Sequence, residues 1–302
     1  VMASAQAEAI KVLYRGWIEA MGANPEMSLE ETRAIFDHWG DITAEPRGVD
    51  YVEVDAGGIP AMWAIPTGCS DNRVVMCTHG GGYVTGSMYT HRKLFGHLAK
   101  EIGCKALILD YRRAPEATHP AQVEDALIGY RWLLDQGYSS EHTCTSGDSA
   151  GGALSTSVLL AIREAGLPLP SGTMAMSPWY DPEGSGSTIE TNAGKDALVS
   201  RDVLMGMSAI FLGEASAKDP LANLLQADLS GLSPIYIQTG GDEALLDDSV
   251  RFEQRAKDAG VDVTLDIYPE MQHVFHFMAG NAPEADDAIG KLAAWIKPKL
   301  GL

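Results

Sequence analysis

The sequence predicts an α/β fold: an eight-stranded, mostly parallel sheet with helices on both faces and a helical cap. Three observations indicate it. Short apolar runs alternate with helical segments from about residue 74 onward. Several of these helical segments end at a glycine, as a left-handed C-cap prefers. A glycine-rich turn at residues 147–152 joins a strand directly to a helix. With 302 residues, 45% of them hydrophobic, the chain can form one continuous core.

Two helices are predicted ahead of any strand. Apolar residues from Ala7 to Trp17 recur at three- and four-residue spacing, which is typical of one buried helix face. A second segment, SLEETRAIFDHWG, begins with Ser28 and Glu31 in capping-box register. Residues 1–45 are therefore predicted to be N-terminal cap helices.

The first part of the core is predicted over residues 46–182. VDYVEVDAG and GIPAMWAIP meet at Gly57 and Gly58, which indicates a β-hairpin. The runs RVVMCT, CKALILDY, HTCTSGD and GTMAMSP then alternate with helical segments. Such alternation favours parallel strands joined by crossover helices.

The alternation breaks after residue 182. Residues 183–225 are predicted to be a cap insertion, in which Ser200 could cap a helix that runs to about Phe211. The runs PIYIQTGGD and VDVTLDIYP and a last amphipathic helix restore the pattern. Residues 226–302 are therefore predicted to be the second part of the core.

Charge and cysteine content exclude several classes of protein. The net charge of −19 would repel a phosphate backbone or an anionic membrane surface, so no nucleic-acid partner is expected. The four cysteines lack the CxxC spacing of a zinc site, and no metal is expected. Charges interrupt the N-terminal apolar residues, and no run is long enough for a membrane span. We expect a cytoplasmic protein.

Ser149 lies at the apex of the turn GDSAGG. Gly147 and Gly151 allow the backbone to fold sharply while strand and helix pack closely, so the serine hydroxyl would project from the sheet edge. A serine hydroxyl is a weak nucleophile near neutral pH. It needs a base, a group that orients the base, and donors for the oxyanion.

Candidate oxyanion donors follow the strand RVVMCT, where His79 precedes three glycines. Gly81 and Gly82 would present main-chain amides to a tetrahedral intermediate. Ala150, directly after the serine at a helix N-terminus, would supply a third amide.

Candidates for the base and the orienting acid follow the last two strands. His273 comes first after VDVTLDIYP and is the predicted base, with His276 as its rival. Asp242 follows PIYIQT and two glycines and is the predicted acid. Its rivals are Glu243, Asp247 and Asp248, and all three are more typical of an exposed cluster in the first turn of a helix.

These motifs together resemble the hormone-sensitive-lipase-like branch of the α/β-hydrolase fold. The resemblance rests on HGGG at 79–82, GDSAGG at 147–152, DEALLDD at 242–248, HVF at 273–275 and YRRAPE at 111–116, and it spans roughly residues 50–300. It implies an esterase that needs no cofactor, with a cap built from the N-terminal helices and the insertion. The chain departs from the family where Glu243 and Ala244 stand in place of the Pro and Leu that usually follow the acid.

The predicted function is a serine carboxylesterase that hydrolyses small to medium, apolar esters through an acyl-enzyme. Some likeness to bacterial monoterpene lactone hydrolases leaves cyclic esters as an alternative. The triad could also cleave amides, and a non-catalytic ligand receptor on the same fold is a further alternative. Four residues are predicted to line the substrate pocket: Tyr83, Trp179, Met205 and Phe211. A small-molecule ester or lactone is the expected partner, and a homodimer is possible.

Overall fold

A computed structural model describes residues 2–302 of the chain. Its centre is one eight-stranded sheet in the order β1-β2-β4-β3-β5-β6-β7-β8. The strands are β1 Val49–Ala56, β2 Ile59–Pro66, β3 Val74–Thr78, β4 Lys105–Leu109, β5 Thr143–Asp148, β6 Thr173–Met176, β7 Ile235–Gly240 and β8 Val263–Tyr268. The predicted strand count and hairpin are confirmed.

The pairing of the strands places four loops at one edge of the sheet. β1, β2 and β4 pair antiparallel, and every later pairing is parallel. The last residue of β3, Thr78, lies opposite Gly147 of β5, and Gly240 of β7 lies opposite Tyr268 of β8. The loops after β3, β5, β7 and β8 therefore leave from the same carboxyl edge, where ligands bind in open α/β sheets.

Helices cover both faces of this sheet. They are α1 Glu8–Ala23, α2 Leu29–Phe36, α3 Met88–Ile102, α4 Ala121–Asp135, α5 Ala150–Glu164, α6 Thr188–Thr191, α7 Arg201–Leu212, α8 Leu246–Asp258 and α9 Pro283–Ile296. Along β3, Val75 and Cys77 face the core formed with α3 and α9, whereas Val74 and Met76 face the core formed with α4 and α5. This alternation follows from the two-residue period of a strand.

Aromatic side chains attach the N-terminal helices to the sheet edge. Trp17 of α1 and Phe36 of α2 lie with ring centroids 5.0 Å apart, and Trp39 stacks on Phe277 at 4.8 Å. Between β6 and β7, Ser200 caps α7 by accepting the N–H of Val203 at 3.3 Å, as predicted. The division into cap segments 1–45 and 183–225 and core segments 46–182 and 226–302 stays a prediction.

Three further features concern membranes, metals and thiols within residues 2–302. Every helix there is too short or too polar to cross a bilayer. The same residues hold no group of three or more His, Cys, Asp or Glu side chains close enough together to share a metal ion. The four cysteines are free thiols, and Cys77, Cys104 and Cys144 are buried.

Candidate active site

Ser149 lies at a strained apex between β5 and α5. Its backbone has φ 53° and ψ −122°, which for a residue other than glycine typically costs about 1–3 kcal/mol. The conformation is held by its own N–H, which donates to Met176 O at 2.9 Å. A Cβ at Gly147 or Gly151 would collide with the main-chain oxygen of Thr78. Both glycines are thus required by the close approach of backbone at this turn.

His273 lies beside this serine. Its Nε2 is 2.8 Å from Ser149 Oγ, and the histidine is only 2% exposed. The rival His276 points elsewhere: its Nε2 is 2.8 Å from Gln238 Oε1, and burial lowers its pKa to about 3. The structure therefore brings Ser149 and His273 together and leaves His276 in the core as a neutral side chain.

The carboxylate that contacts His273 is Glu243, so the prediction of Asp242 is wrong. Glu243 Oε1 lies 2.7 Å from His273 Nδ1, whereas Asp242 is half-buried and makes no hydrogen bond to that ring. The reason is the turn after β7, in which the N–H of Glu243 bonds to Gly240 O at 3.3 Å. This turn directs residue 243 back over the strand ends, and the longer glutamate side chain reaches the imidazole.

A sequence signal for Glu243 was present. The family usually has Pro and Leu after its acid, and Leu245 matches the second of these when Ala244 is set against the proline. That alignment puts Glu243, not Asp242, in the position of the acid.

The Glu243 carboxylate is fully hydrogen-bonded although it is buried. Its Oε2 accepts the hydroxyls of Ser177 at 2.8 Å and Thr239 at 2.9 Å and the N–H of Gly240. A buried carboxylate with this many donors has its position fixed. It can hold His273 in the tautomer with hydrogen on Nδ1, which leaves Nε2 free to accept a proton.

The surroundings of His273 favour its protonated form. Burial by itself would lower the pKa of the imidazole. The hydrogen bond and charge of Glu243, with smaller contributions from Asp196 and Asp148, outweigh burial and raise that pKa above its usual value. A base with a raised pKa is better suited to take the serine proton.

The glycine loop after β3 faces the serine. Gly81 and Gly82 have φ values of 117° and 64°, which a side chain would disfavour. No acceptor within residues 2–302 takes the N–H of either glycine or of Ala150. Gly81 and Gly82 also line the same cavity as Ser149, and the role of the three amides as oxyanion donors stays a prediction.

A second imidazole–carboxylate pair anchors this loop. Asp148 Oδ1 accepts the N–H of Gly80 at 3.0 Å, and its Oδ2 lies 3.0 Å from His91 Nε2. The Tyr111 hydroxyl donates to His79 O at 2.5 Å, and the two rings stack at 4.2 Å. Asp148, the residue directly before Ser149, thus helps to hold the glycine loop in place.

A small apolar cavity opens onto Ser149, with a volume of about 50 Å³. Of the four predicted pocket residues only Trp179 lines it. Tyr83 and Phe211 instead stack on each other at 3.7 Å, and Met205 is 38% exposed on the outer side of α7. These three assignments are wrong. The cavity is lined by Phe36, Trp39, Gly81, Gly82, Ser149, Trp179, Leu198, Val199, Val203, Leu204, Met207, Leu245 and His273.

Helical periodicity could have separated the two methionines of α7. Val203 and Met207 are four residues apart and therefore lie on one face, which faces the cavity. Met205, two residues from each, lies on another face. For Phe36 and Trp39, no sequence pattern distinguishes a residue that lines the pocket from one that only packs the N-terminal helices onto the core.

Comparison with known proteins agrees with this geometry. Residues 75–277 match the family model described as alpha/beta hydrolase fold. An acetyl-hydrolase of Streptomyces hygroscopicus is 36% identical over 99% of both chains, and an esterase of Acinetobacter venetianus is 33% identical over 74% of both. The crystal structure of an esterase from the bacterial hormone-sensitive lipase family is 37% identical and superposes over 100% of both chains with a TM-score of 0.95.

Proposed function

Since the chain belongs to the hormone-sensitive-lipase-like group of α/β-hydrolases and is a carboxylic ester hydrolase, we propose that it cleaves small to medium, apolar esters through an acyl-enzyme on Ser149. The observation that carries the proposal is the continuous line of contacts from Ser149 Oγ through His273 to Glu243, at 2.8 and 2.7 Å. Nucleophile and base within hydrogen-bond reach, with a third group that orients the base, are the requirements for this chemistry.

In the first half of the reaction, Ser149 Oγ attacks the ester carbonyl carbon while His273 Nε2 accepts the hydroxyl proton. The carbonyl oxygen becomes an oxyanion and is bound by the amides of Gly81, Gly82 and Ala150. Loss of one such donor typically lowers the rate roughly 100- to 1,000-fold. His273 then gives its proton to the leaving alcohol, and the carbonyl stays bonded to Oγ.

In the second half, water attacks the acyl-enzyme. His273 takes a proton from the water, the oxyanion forms again in the same place, and the acid leaves as Ser149 recovers its proton. Glu243 accepts the Nδ1–H of His273 and stabilises the imidazolium that forms in each half.

The cavity supports a preference for short acyl groups. A volume of about 50 Å³ next to Ser149 leaves little room, and the walls are largely apolar. Met207 lies directly over Gly82, close enough that a Cβ there would be 2.9 Å from the methionine Sδ. A net charge of −19 disfavours anionic substrates. The relative named acetyl-hydrolase is consistent with a short acyl group.

The test is Ser149→Ala with a panel of chromogenic esters of increasing acyl length and of ring lactones. The wild-type protein should hydrolyse acetate and butyrate esters faster than long-chain esters, and Ser149→Ala should lose at least about 10,000-fold of that activity with an unchanged fold. Full residual activity in the variant would rule out the serine mechanism. Faster turnover of the lactones would assign the protein to cyclic esters. Binding without turnover of any member would favour a receptor. A cytoplasmic location and a homodimer stay predictions from the sequence.

A further inference from the structure

The peptide bond between His273 and Val274 is held on both sides by side chains outside the predicted triad. The hydroxyl of Tyr14, in α1, donates to the main-chain oxygen of His273 at 2.7 Å. The N–H of Val274 belongs to the same planar unit and points the opposite way, and it donates to Ser177 Oγ at 3.1 Å. Ser177 Oγ donates in turn to Glu243 Oε2 at 2.8 Å. One peptide is therefore connected both to the N-terminal helix and to the carboxylate.

This peptide is followed by an unfavourable backbone conformation. Val274 has φ 48° and ψ 49°, in the left-handed region. A β-branched residue rarely adopts it, because its branched Cβ crowds the backbone. Such a conformation persists only where the surroundings impose it. The hydrogen bond from the Tyr14 hydroxyl to His273 O and the one from Val274 N–H to Ser177 Oγ hold the backbone at this point.

The Tyr14 side chain is built to be a donor at this position. It is fully buried, with its ring centroid 5.6 Å from that of Trp17 and 6.4 Å from that of Trp39. Trp39 Nε1 donates to the tyrosine hydroxyl oxygen at 3.1 Å, so the hydroxyl hydrogen is left for the carbonyl of His273. Burial raises the pKa of Tyr14 well above its usual value, so the hydroxyl keeps its hydrogen. Tyr14 itself does not line the substrate cavity.

We propose that Tyr14 is a positioning residue for His273: its hydrogen bond, opposed by that of Ser177, fixes the rotation of the His273–Val274 peptide and so the direction from which the imidazole reaches Ser149. The inference rests on the proposed role of His273 as the base. In this proposal α1 positions the catalytic base as well as covering the sheet edge.

The test is Tyr14→Phe, which removes the hydroxyl and keeps the ring. Tyr130→Phe is the matched control, because Tyr130 is also fully buried and its hydroxyl donates to a main-chain oxygen, that of Pro168 at 2.6 Å, away from the site. Rates are expressed per site titrated with an organophosphate, so that misfolded protein does not count. We expect Tyr14→Phe to lower kcat roughly 10- to 100-fold, as misplacement of a reacting group does, with KM within about twofold.

The same variant should react more slowly with the organophosphate, by a similar factor, because that reaction also needs the base. Tyr130→Phe should lose thermal stability while both rates stay within about twofold of wild type. Unchanged kcat in Tyr14→Phe, or an equal loss in Tyr130→Phe, would overturn the proposal.

If Tyr14→Phe does not accumulate as folded protein, Ser177→Ala tests the other side of the peptide. Because Ser177 also donates to Glu243 Oε2, Thr239→Val, which removes the other hydroxyl from that oxygen, is the control. A fall in kcat that is clearly larger in Ser177→Ala than in Thr239→Val, with unchanged KM, would support the proposal, and an equal or absent fall would overturn it. Ser149→Ala distinguishes a failure of the proposed function from a failure of the positioning role of Tyr14. Activity in that variant would contradict the proposed function, whereas its inactivity together with an unaffected Tyr14→Phe would contradict only the positioning role.

Discussion

Two imidazole–carboxylate pairs lie on either side of Ser149, and each imidazole also contacts a hydroxyl. His273 lies between Glu243 and Ser149, at 2.7 and 2.8 Å. His91 lies between Asp148, at 3.0 Å, and Thr90 Oγ1, at 2.7 Å. Both histidines are buried. By composition and distance alone, either set could be taken for a catalytic triad.

The difference between the two sets lies in what surrounds the hydroxyl. Ser149 lines a cavity together with Gly81 and Gly82, and within residues 2–302 the N–H groups of these glycines and of Ala150 have no protein acceptor. Thr90 Oγ1 instead caps α3: it accepts the N–H of Ser87 at 2.9 Å and donates to Ser87 O at 2.9 Å. A hydroxyl that already bonds to two main-chain groups and lies outside the cavity at Ser149 is not placed for acyl transfer. The contacts of the Asp148–His91 pair instead hold the oxyanion loop.

The largest expected effect separates Glu243 from its neighbour. Glu243→Gln keeps the shape but removes the negative charge and can leave His273 in the wrong tautomer, so we expect kcat to fall roughly 1,000- to 10,000-fold. Asp242→Asn is the control and should stay within about threefold of wild type. Steady-state kinetics on a short-chain ester measures both. The reverse ranking would restore Asp242 as the orienting acid.

A smaller loss of activity is expected from the second pair. His91→Phe keeps a ring among its aromatic neighbours but takes a partner from the buried Asp148 carboxylate. We expect the free energy of unfolding to fall by about 3 kcal/mol, measured by urea denaturation. Because Gly80 keeps its own bond to Asp148, kcat should fall only about tenfold. A loss as large as that of Glu243→Gln would mean that His91 takes part in the chemistry itself.

The pH dependence of kcat/KM tests how much Glu243 and Asp148 each raise the pKa of His273. Protonated His273 cannot accept the serine proton, so activity should fall on the acid side as pH drops through the pKa of this group. Glu243 raises that pKa more than Asp148 does. Glu243→Gln should therefore move the acid limb to lower pH, and Asp148→Asn should move it in the same direction by less. A limb that does not move in Glu243→Gln would show that another group controls it.

The smallest effect is expected at Thr90. Thr90→Val removes the hydroxyl that helps to cap α3, which should cost about 1 kcal/mol of stability by thermal denaturation. The value of kcat should stay within about twofold, because this hydroxyl lies outside the cavity. A loss beyond tenfold would contradict the distinction between the two hydroxyls.

The sheet and the serine turn were predictable because they depend on local patterns. Strand periodicity, the glycines beside Ser149 and the order of the motifs each act within a few residues. The choice between Asp242 and Glu243 depends instead on which way one turn after β7 directs its side chains, and the strand-end rule does not distinguish adjacent residues. The pocket prediction was right for Trp179 and failed for Tyr83 and Phe211 for a similar reason. Tyr83 and Phe211 are aromatic and near the site, but they stack on each other, and this depends on how α7 packs.

No sequence pattern predicts the contacts that join distant parts of the chain. Tyr14 and His273 are 259 residues apart, and the spacing of apolar residues in α1 predicts only that Tyr14 lies on the buried face. The pairing of Asp148 with His91 likewise depends on how α3 packs against the glycine loop after β3. Short motifs identify the reacting groups, whereas the groups that orient them follow from tertiary packing.

The most direct measurement of the central claim is the covalent capture of the nucleophile. The protein is incubated with diethyl p-nitrophenyl phosphate, released p-nitrophenol is counted, and the labelled peptide is identified by mass spectrometry. We expect one p-nitrophenol per chain, complete loss of esterase activity and a diethylphosphoryl group on Ser149. A label on any other residue, or loss of activity with Ser149 unmodified, would contradict the account.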